Sequence, residues 1–124
     1  MLIDSDILID CARREAKAIT FLEKAMRDGV ARISAVSQME MIVGCRNKRE
    51  LNALDGFLAH FNLVHLCPAI SVKAVEVLRL YRSSHGLLIP DALIAATAIL
   101  EAESLATKNR RHFEFIKNLK LAEY

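Results

Sequence analysis

The segment Leu2-Ile-Asp-Ser-Asp-Ile-Leu-Ile9 decides the fold that we predict for this chain. Leu2 and Ile3 form a short apolar strand that stops at two carboxylates, Asp4 and Asp6, before the apolar pattern resumes. A buried strand that ends in acids and leads directly into a helix is typical of an open α/β sheet, where ligands bind beyond the carboxyl ends of the strands. Two acids in an apolar segment also need a partner, such as a cation or a metal. The rest of the chain should therefore supply the groups that complete this cluster.

Strand-like and helix-like segments alternate along the remaining sequence. Further strands are predicted over 31–36, 63–67 and 104–107, with a possible edge strand over 119–122. Apolar residues recur every three or four positions between them, which is the pattern of amphipathic helices. Alternation of this kind predicts an α/β fold with a mostly parallel sheet of four to five strands and right-handed crossovers. The helices are predicted at 7–11, 19–28, 37–46, 51–61, 71–86, 91–103 and 109–115.

Composition and charge set limits on the class of protein. The 124 residues predict a single domain spanning 1–124, and 53% of them are hydrophobic. The net charge of +2 permits an acidic partner such as nucleic acid without requiring one. Three widely spaced cysteines argue against a disulfide framework or a zinc site. No apolar run is long enough for a membrane span, so we expect a soluble, cytoplasmic protein with no membrane partner.

Several acids have an ordinary structural explanation when each is considered alone. Asp6 could be the N-cap of the helix after the first strand. Glu40 stands three residues after Ser37, which is the spacing of a capping box. Asp91 lies in the first turn of its helix, where the macrodipole favours a negative charge. Asp4 fits such an explanation less well, because it ends a strand.

The same acids have a different meaning when they are considered together. Asp4 follows strand one, Glu40 follows strand two, and Asp91 opens the helix before strand four. In a parallel sheet these points lie at one edge, so three carboxylates should converge there and repel one another. A hard divalent cation relieves such repulsion, and oxygen-only ligands select Mg²⁺ or Mn²⁺ over zinc. The predicted chemistry is metal-assisted phosphoryl transfer, most simply hydrolysis.

Four motifs resemble those of the PIN-domain ribonucleases, and in particular the VapC toxins of toxin–antitoxin pairs. They cover essentially the whole chain in the order of the family. The run Pro-Asp-Ala-Leu-Ile-Ala-Ala-Thr-Ala is the most specific of them. The motifs are Leu2–Ile9, Ser34–Glu40 with Gly44, Ile89–Ala98 and Leu105–Asn109.

The resemblance implies a PIN-like α/β/α sandwich and an endoribonuclease that depends on Mg²⁺, with Mn²⁺ possible. By residue, it places Asp4, Glu40 and Asp91 on metal-binding, catalytic acids of the family. It gives Asp6, Thr107 and Asn109 supporting positions around the site. Many relatives have an acid where His112 stands, so three acids holding one metal is the expectation for this chain.

The resemblance also implies an RNA substrate, a homodimer and a VapB-type antitoxin that blocks the site. Lys108, Arg110 and Arg111 lie beside the predicted site and are candidates for contacting RNA phosphates, although charge runs are usually just solvated faces. The low aromatic content argues against recognition by base stacking. Because of Asn109 and His112, an alternative function stays open: a PIN-like module that binds RNA or protein without cleaving.

Overall fold

The computed structural model describes all residues from 1 to 124. It contains a four-stranded sheet and six α-helices, which confirms the predicted α/β class. The elements in chain order are β1 (Leu2–Ile3), α1 (Ser5–Ala12), α2 (Ala16–Arg27), β2 (Arg32–Ser34), α3 (Ala35–Val43), α4 (Lys48–Leu58), β3 (Asn62–Val64), α5 (Pro68–His85), α6 (Ile89–Leu100), β4 (Leu105–Ala106) and a 3₁₀ turn (Arg110–His112).

All strand pairs in the sheet are parallel, and the order is β3-β2-β1-β4. The chain moves outward from β1 to β2 and β3, and α5 and α6 then return it to the other side of β1. The direction of winding therefore reverses between β1 and β4. In open parallel sheets this reversal leaves a crevice at the carboxyl ends of the strands, where ligands bind. Asp4 and Thr107 follow directly on these two strands.

Side chains alternate between the two faces of the sheet and fill two separate cores. Leu2 and Leu105 point to the core formed with α5 and α6, whereas Ile3 and Ala106 point to the core formed with α1, α2 and α4. This alternation follows from the two-residue period of a strand. All four side chains are fully buried. Helices on both faces of the sheet confirm the expected α/β/α sandwich.

The helix before β4 is buried because its side chains are small. Four alanines of α6 have no exposed surface, and α5 lies along this helix. These alanines are Ala92, Ala95, Ala96 and Ala98. Pro90 lies in the first turn of α6, where its missing N–H has no cost. Gly86 ends α5 with a left-handed φ of 69°, as predicted from its position.

All six α-helices begin two or three residues earlier than the sequence pattern indicated. Ser34 caps α3 by accepting from the N–H of Val36 at 3.0 Å, so the capping box starting at Ser37 was wrong and Glu40 lies in the second turn. Asn47 caps α4, and α5 starts at Pro68 rather than at Ser71. For α3 and α5 the reason is that the preceding strands, β2 and β3, are only three residues long, which leaves more of the chain to the helices.

The buried face of α5 and the C-terminal segment also differ from prediction. The spacing of Ala74, Val75, Leu78 and Tyr81 predicts the core face of this helix. Val75 is instead about half exposed, and Val77 is buried. The helix expected over 109–115 is only a short 3₁₀ turn. The edge strand expected over 119–122 is a single bridge between Leu105 and Leu121.

None of the six helices combines the length and the apolar character that crossing a membrane requires.

Candidate active site

Asp4 is the most buried acid of the predicted site, with 6% of its surface exposed. It is both the residue after β1 and the N-cap of α1, so the expectation that it only ends a strand was wrong, and Asp6 is not the cap. The N–H of Ser5 donates to Asp4 Oδ1 at 2.8 Å. The hydroxyl of Thr107 donates to Asp4 Oδ2 at 2.8 Å across the β1–β4 crevice. Both oxygens are thus held by hydrogen bonds from opposite sides of the crevice.

Asp6 ties the segment after β4 to the start of α1. Its Oδ2 accepts from the backbone N–H of Lys108 at 2.8 Å and from that of Asn109 at 3.2 Å. The Thr107 hydroxyl lies 3.2 Å from the same oxygen. The N–H of Asn109 also donates to Thr107 Oγ1 at 3.0 Å. The predicted supporting residues Asp6, Thr107 and Asn109 therefore form one hydrogen-bonded unit beside Asp4.

Glu40 and Asp91 extend the cluster from α3 and α6. Glu40 lies on α3, is exposed to solvent, and accepts from the Ser5 hydroxyl at 3.4 Å. Asp91 lies in the first turn of α6 and its side chain is 18% exposed. His112 Nδ1 lies 3.4 Å from Asp91 Oδ2. Sequence patterns gave no reason to expect this contact or the role of Ser5, because neither depends on spacing along the chain.

The acids of this edge influence one another through their charges. Burial, followed by the charge of Asp6, raises the pKa of Asp4 to about 7, and Glu40 adds to the shift. Partial burial of its carboxyl group, followed by the charge of Asp91, raises the pKa of Glu40. Burial also raises the pKa of Asp91, against a lowering by His112. Glu40 is thus close enough to both Asp4 and Asp91 for their charges to interact.

The chemistry of this cluster fits a hard divalent cation. No three side chains among the acids, histidines and cysteines are close enough, as they stand, to hold one metal ion together. The donors available are nevertheless carboxylate and hydroxyl oxygens, which suit Mg²⁺ or Mn²⁺. Burial, followed by neighbouring negative charge, raises the pKa of these carboxyl groups, and a cation between them would offset both costs.

The three basic residues predicted to contact RNA have different surroundings. Lys108 Nζ donates to Asp10 Oδ2 at 2.5 Å, and a guanidinium N–H of Arg110 donates to the carbonyl oxygen of Ala122 at 3.0 Å. Arg111 is exposed and lines a cavity of about 180 Å³ together with Asp91 and His112. Arg111 is the one among them that has no intramolecular hydrogen bond or ion pair.

Comparison with known proteins places this arrangement in a family. The family model described as the PIN domain matches residues 1–118. The chain belongs to the PIN-domain family. The resemblance seen in the sequence motifs is therefore confirmed.

Relatives of this PIN domain carry VapC names. Ribonuclease VapC10 of Mycobacterium tuberculosis is 39% identical over 97% of this chain and 90% of its own length. VapBC2 of Rickettsia felis, solved bound to a DNA fragment from its promoter, has a TM-score of 0.84 and 25% identity, covering 99% of this chain and 97% of that one. A toxin–antitoxin complex from Klebsiella pneumoniae has a TM-score of 0.77 and 29% identity, with coverage of 95% and 93%.

The raised pKa of Asp4 predicts an unusual pH dependence for the stability of this PIN domain. The folded state binds the Asp4 proton more tightly than the unfolded state does, so protonation of Asp4 stabilises the fold. This stabilisation is fully present below pH 3.8 and is lost as pH rises through about 7. In EDTA, the free energy of unfolding should fall by up to about 4 kcal/mol between roughly pH 4 and pH 8. Urea unfolding at a series of pH values measures this. A free energy that rises with pH over that range would contradict the charge repulsion described above.

Proposed function

We propose that this protein is an endoribonuclease that depends on Mg²⁺, with Mn²⁺ as a substitute, and that it is the VapC-type toxin of a toxin–antitoxin pair. The observation that carries the proposal is the group of carboxylates at the point where the winding of the sheet reverses, with Asp4 buried and held by hydrogen bonds from Ser5 and Thr107. The VapC ribonuclease names of its relatives give it independent support. The whole chain, 1–124, would act as a single domain.

In this proposal Asp4, Glu40 and Asp91 hold the metal and are the catalytic acids. A bound divalent cation would lower the pKa of a water molecule and neutralise charge that develops on the phosphodiester. The protein's own contribution is to place the acids before substrate arrives. Ser5 and Thr107 fix the two oxygens of Asp4. The reaction is hydrolysis of an RNA phosphodiester that leaves 5′-phosphate and 3′-hydroxyl ends.

Basic side chains around the acids would hold the RNA backbone. Arg111 is placed best for this, because it is exposed and lines the same cavity as Asp91. Lys108 and Arg110 are also candidates, although each now contacts a protein oxygen. Phosphate contacts of this kind position a nucleic acid without reading its sequence.

Protein partners are a further part of the proposal. The related chains solved from Rickettsia felis and Klebsiella pneumoniae are in complexes described as VapBC and toxin–antitoxin, which supports a VapB-type antitoxin here. Val43, Val72 and Leu80 are large apolar side chains that are mostly exposed, which supports an additional contact between two copies of the chain. The free state of all three cysteines is compatible with action in the cytoplasm.

The alternative of a module that binds without cleaving has less support. All three principal acids are present, and charge coupling links Glu40 both to Asp4 and to Asp91. The curated relatives are named ribonucleases. His112, which raised this alternative, contacts Asp91 rather than leaving the site incomplete at that position.

Incubation of total RNA with the purified protein, freed of any partner, tests the proposed function. Cleavage should occur with Mg²⁺ or Mn²⁺ and stop with EDTA, and the products should carry 5′-phosphate ends that a phosphate-dependent exonuclease degrades. Metal-independent cleavage that leaves cyclic phosphates would contradict the proposal. Binding of RNA without cleavage under any metal would favour the non-catalytic module.

Thr107→Val should lower the rate of cleavage with little change in shape. Valine fills the space of threonine but leaves Asp4 Oδ2 without its donor at 2.8 Å. Loss of a partner that orients a metal ligand typically lowers activity by roughly 10–100-fold. Thr97→Val is the matched control, because Thr97 is also buried and donates only to Leu93 within its own helix. Equal kcat/KM values for the two variants would show that Thr107 does not position Asp4.

A further inference from the structure

A second cavity lies directly beside the acid cluster, between the α1–α2 junction and the C-terminal segment. Its volume is about 370 Å³, within the range of roughly 300–1,000 Å³ that is common for small-ligand sites. Only one of its seven lining residues is hydrophobic. The lining residues are Asp10, Glu15, Lys17, Thr107, Lys108, Arg110 and Tyr124. A polar cavity with one aromatic ring suits a nucleotide better than an apolar peptide side chain.

Tyr124 is held in this cavity by side chains of α2. The ring of Phe21 meets the Tyr124 ring edge-on, with centroids 4.9 Å apart. Lys17 Nζ lies 4.3 Å from the centroid of the Tyr124 ring. Lys17 is exposed, so its ammonium group has room to move from the ring to a phosphate. Aromatic rings next to cationic side chains are a recurring means of binding single-stranded RNA.

Thr107 and Lys108 connect this cavity to the acid cluster. The Thr107 hydroxyl donates to Asp4, while the same residue lines the cavity. The backbone N–H of Lys108 donates to Asp6, whereas its side chain reaches into the cavity and donates to Asp10. An RNA strand whose phosphodiester lies at the acids would therefore bring an adjacent nucleotide to this cavity.

Lys108 forms an ion pair with Asp10 when no RNA is present. The ammonium and carboxylate groups are 2.5 Å apart, and the Lys108 side chain is 45% exposed. The Asp10 side chain is 17% exposed, so solvent reaches the pair mainly from the ammonium side, and a phosphate that approaches from there can compete with Asp10 for the ammonium group. Asp10 should thus weaken RNA binding rather than strengthen it.

We propose that this cavity binds the nucleotide next to the cleaved phosphodiester, with its base against Tyr124 and its phosphate on Lys108 in place of Asp10. The inference rests on the proposed ribonuclease function, because it assumes that RNA lies across the acids. It differs from the expectation from composition, since the low aromatic content argues against recognition by base stacking. Tyr124 and Lys108 are binding residues in this account, and Asp10 controls the availability of Lys108.

Fluorescence anisotropy with a labelled single-stranded RNA oligonucleotide in Mg²⁺ tests the inference. All proteins carry Asp91→Asn so that the probe is not cut. Tyr124→Leu should raise Kd about tenfold, since stacking on an aromatic ring contributes roughly that much per base. Tyr124→Phe keeps the ring and should stay close to the parent. Asp10→Asn should lower Kd about threefold and make the salt dependence steeper by about one phosphate contact.

The two substitutions act in opposite directions, which keeps the inference falsifiable. If Tyr124→Leu does not fold, the RNA Kd of Asp10→Asn alone tests the inference, because misfolding cannot make a protein bind RNA more tightly. An unchanged Kd for folded Tyr124→Leu, or a weaker complex for Asp10→Asn, would overturn the inference and would leave the cavity to a protein partner. The predicted Kd shifts without RNA cleavage by the unsubstituted protein would instead overturn the nuclease function and keep the cavity as an RNA site.

Discussion

Asp91→Asn is expected to lower kcat/KM for RNA cleavage by roughly a hundredfold or more, because removal of a partner that merely orients a metal ligand already lowers activity by about 10–100-fold. The substitution takes one negative charge from the cluster and leaves the shape of the side chain unchanged. The charge favours the first turn of α6 by about 0.3–1 kcal/mol, but burial raises the pKa of Asp91, so the two effects oppose each other and the fold should stay about as stable. Cleavage should therefore be lost from a protein that is still folded.

The matched control for this variant is Asp55→Asn, which removes the same charge from α4, outside the cluster. Steady-state cleavage of one RNA oligonucleotide, together with urea unfolding of each protein, separates activity from folding. Equal activity of the two variants would remove Asp91 from the catalytic group. Unfolding of Asp91→Asn alone would show that this acid serves the helix rather than the reaction.

Asp4→Asn is expected to move activity and stability in opposite directions. The asparagine amide can accept from the Ser5 N–H and donate to the Thr107 oxygen, so both hydrogen bonds of Asp4 have a replacement. The unfavourable charge is removed, and at about pH 8 without metal the free energy of unfolding should rise by up to roughly 4 kcal/mol. Cleavage should fall by roughly a hundredfold or more, as for Asp91→Asn.

Urea unfolding of Asp4→Asn over a series of pH values checks the first half of this prediction. The fall in stability with rising pH, expected for the unsubstituted protein in EDTA, should largely disappear. A less stable variant at high pH would mean that the Asp4 carboxylate stabilises the fold as an N-cap, with charge repulsion of little consequence. Full cleavage activity in the variant would remove Asp4 from the proposed site.

The parts of the fold that the sequence predicted are those set by short-range patterns. Gly86 and Pro90 mark the end of α5 and the start of α6, because each restricts the backbone in a way that few positions tolerate. The starts of α3 and α5 were misplaced because strand length here is set by pairing within the sheet, which is not a local property. Ser37 looks like a helix cap in the sequence, but β2 ends at Ser34, and Ser34 is therefore the cap.

The sequence predicted which edge of the sheet carries the candidate site, but it did not predict the contacts within the site. Asp4, Glu40 and Asp91 could be assigned to one edge because parallel strands share it. The hydrogen bonds of Asp6 to the segment 107–109 join parts of the chain about a hundred positions apart, and no periodicity indicates them. The cavity at Tyr124 depends on how the C-terminal segment packs on α2, which was likewise invisible in the sequence.

Binding of Mn²⁺ measured by titration calorimetry is the most direct test of the central claim, that Asp4, Glu40 and Asp91 form a divalent-metal site. It needs neither the natural RNA nor the partner. We expect one Mn²⁺ to bind per chain near pH 8. This binding should be much weaker in Asp4→Asn or Asp91→Asn and unchanged in Asp55→Asn. Absence of binding, or binding that persists equally in all three variants, would contradict it.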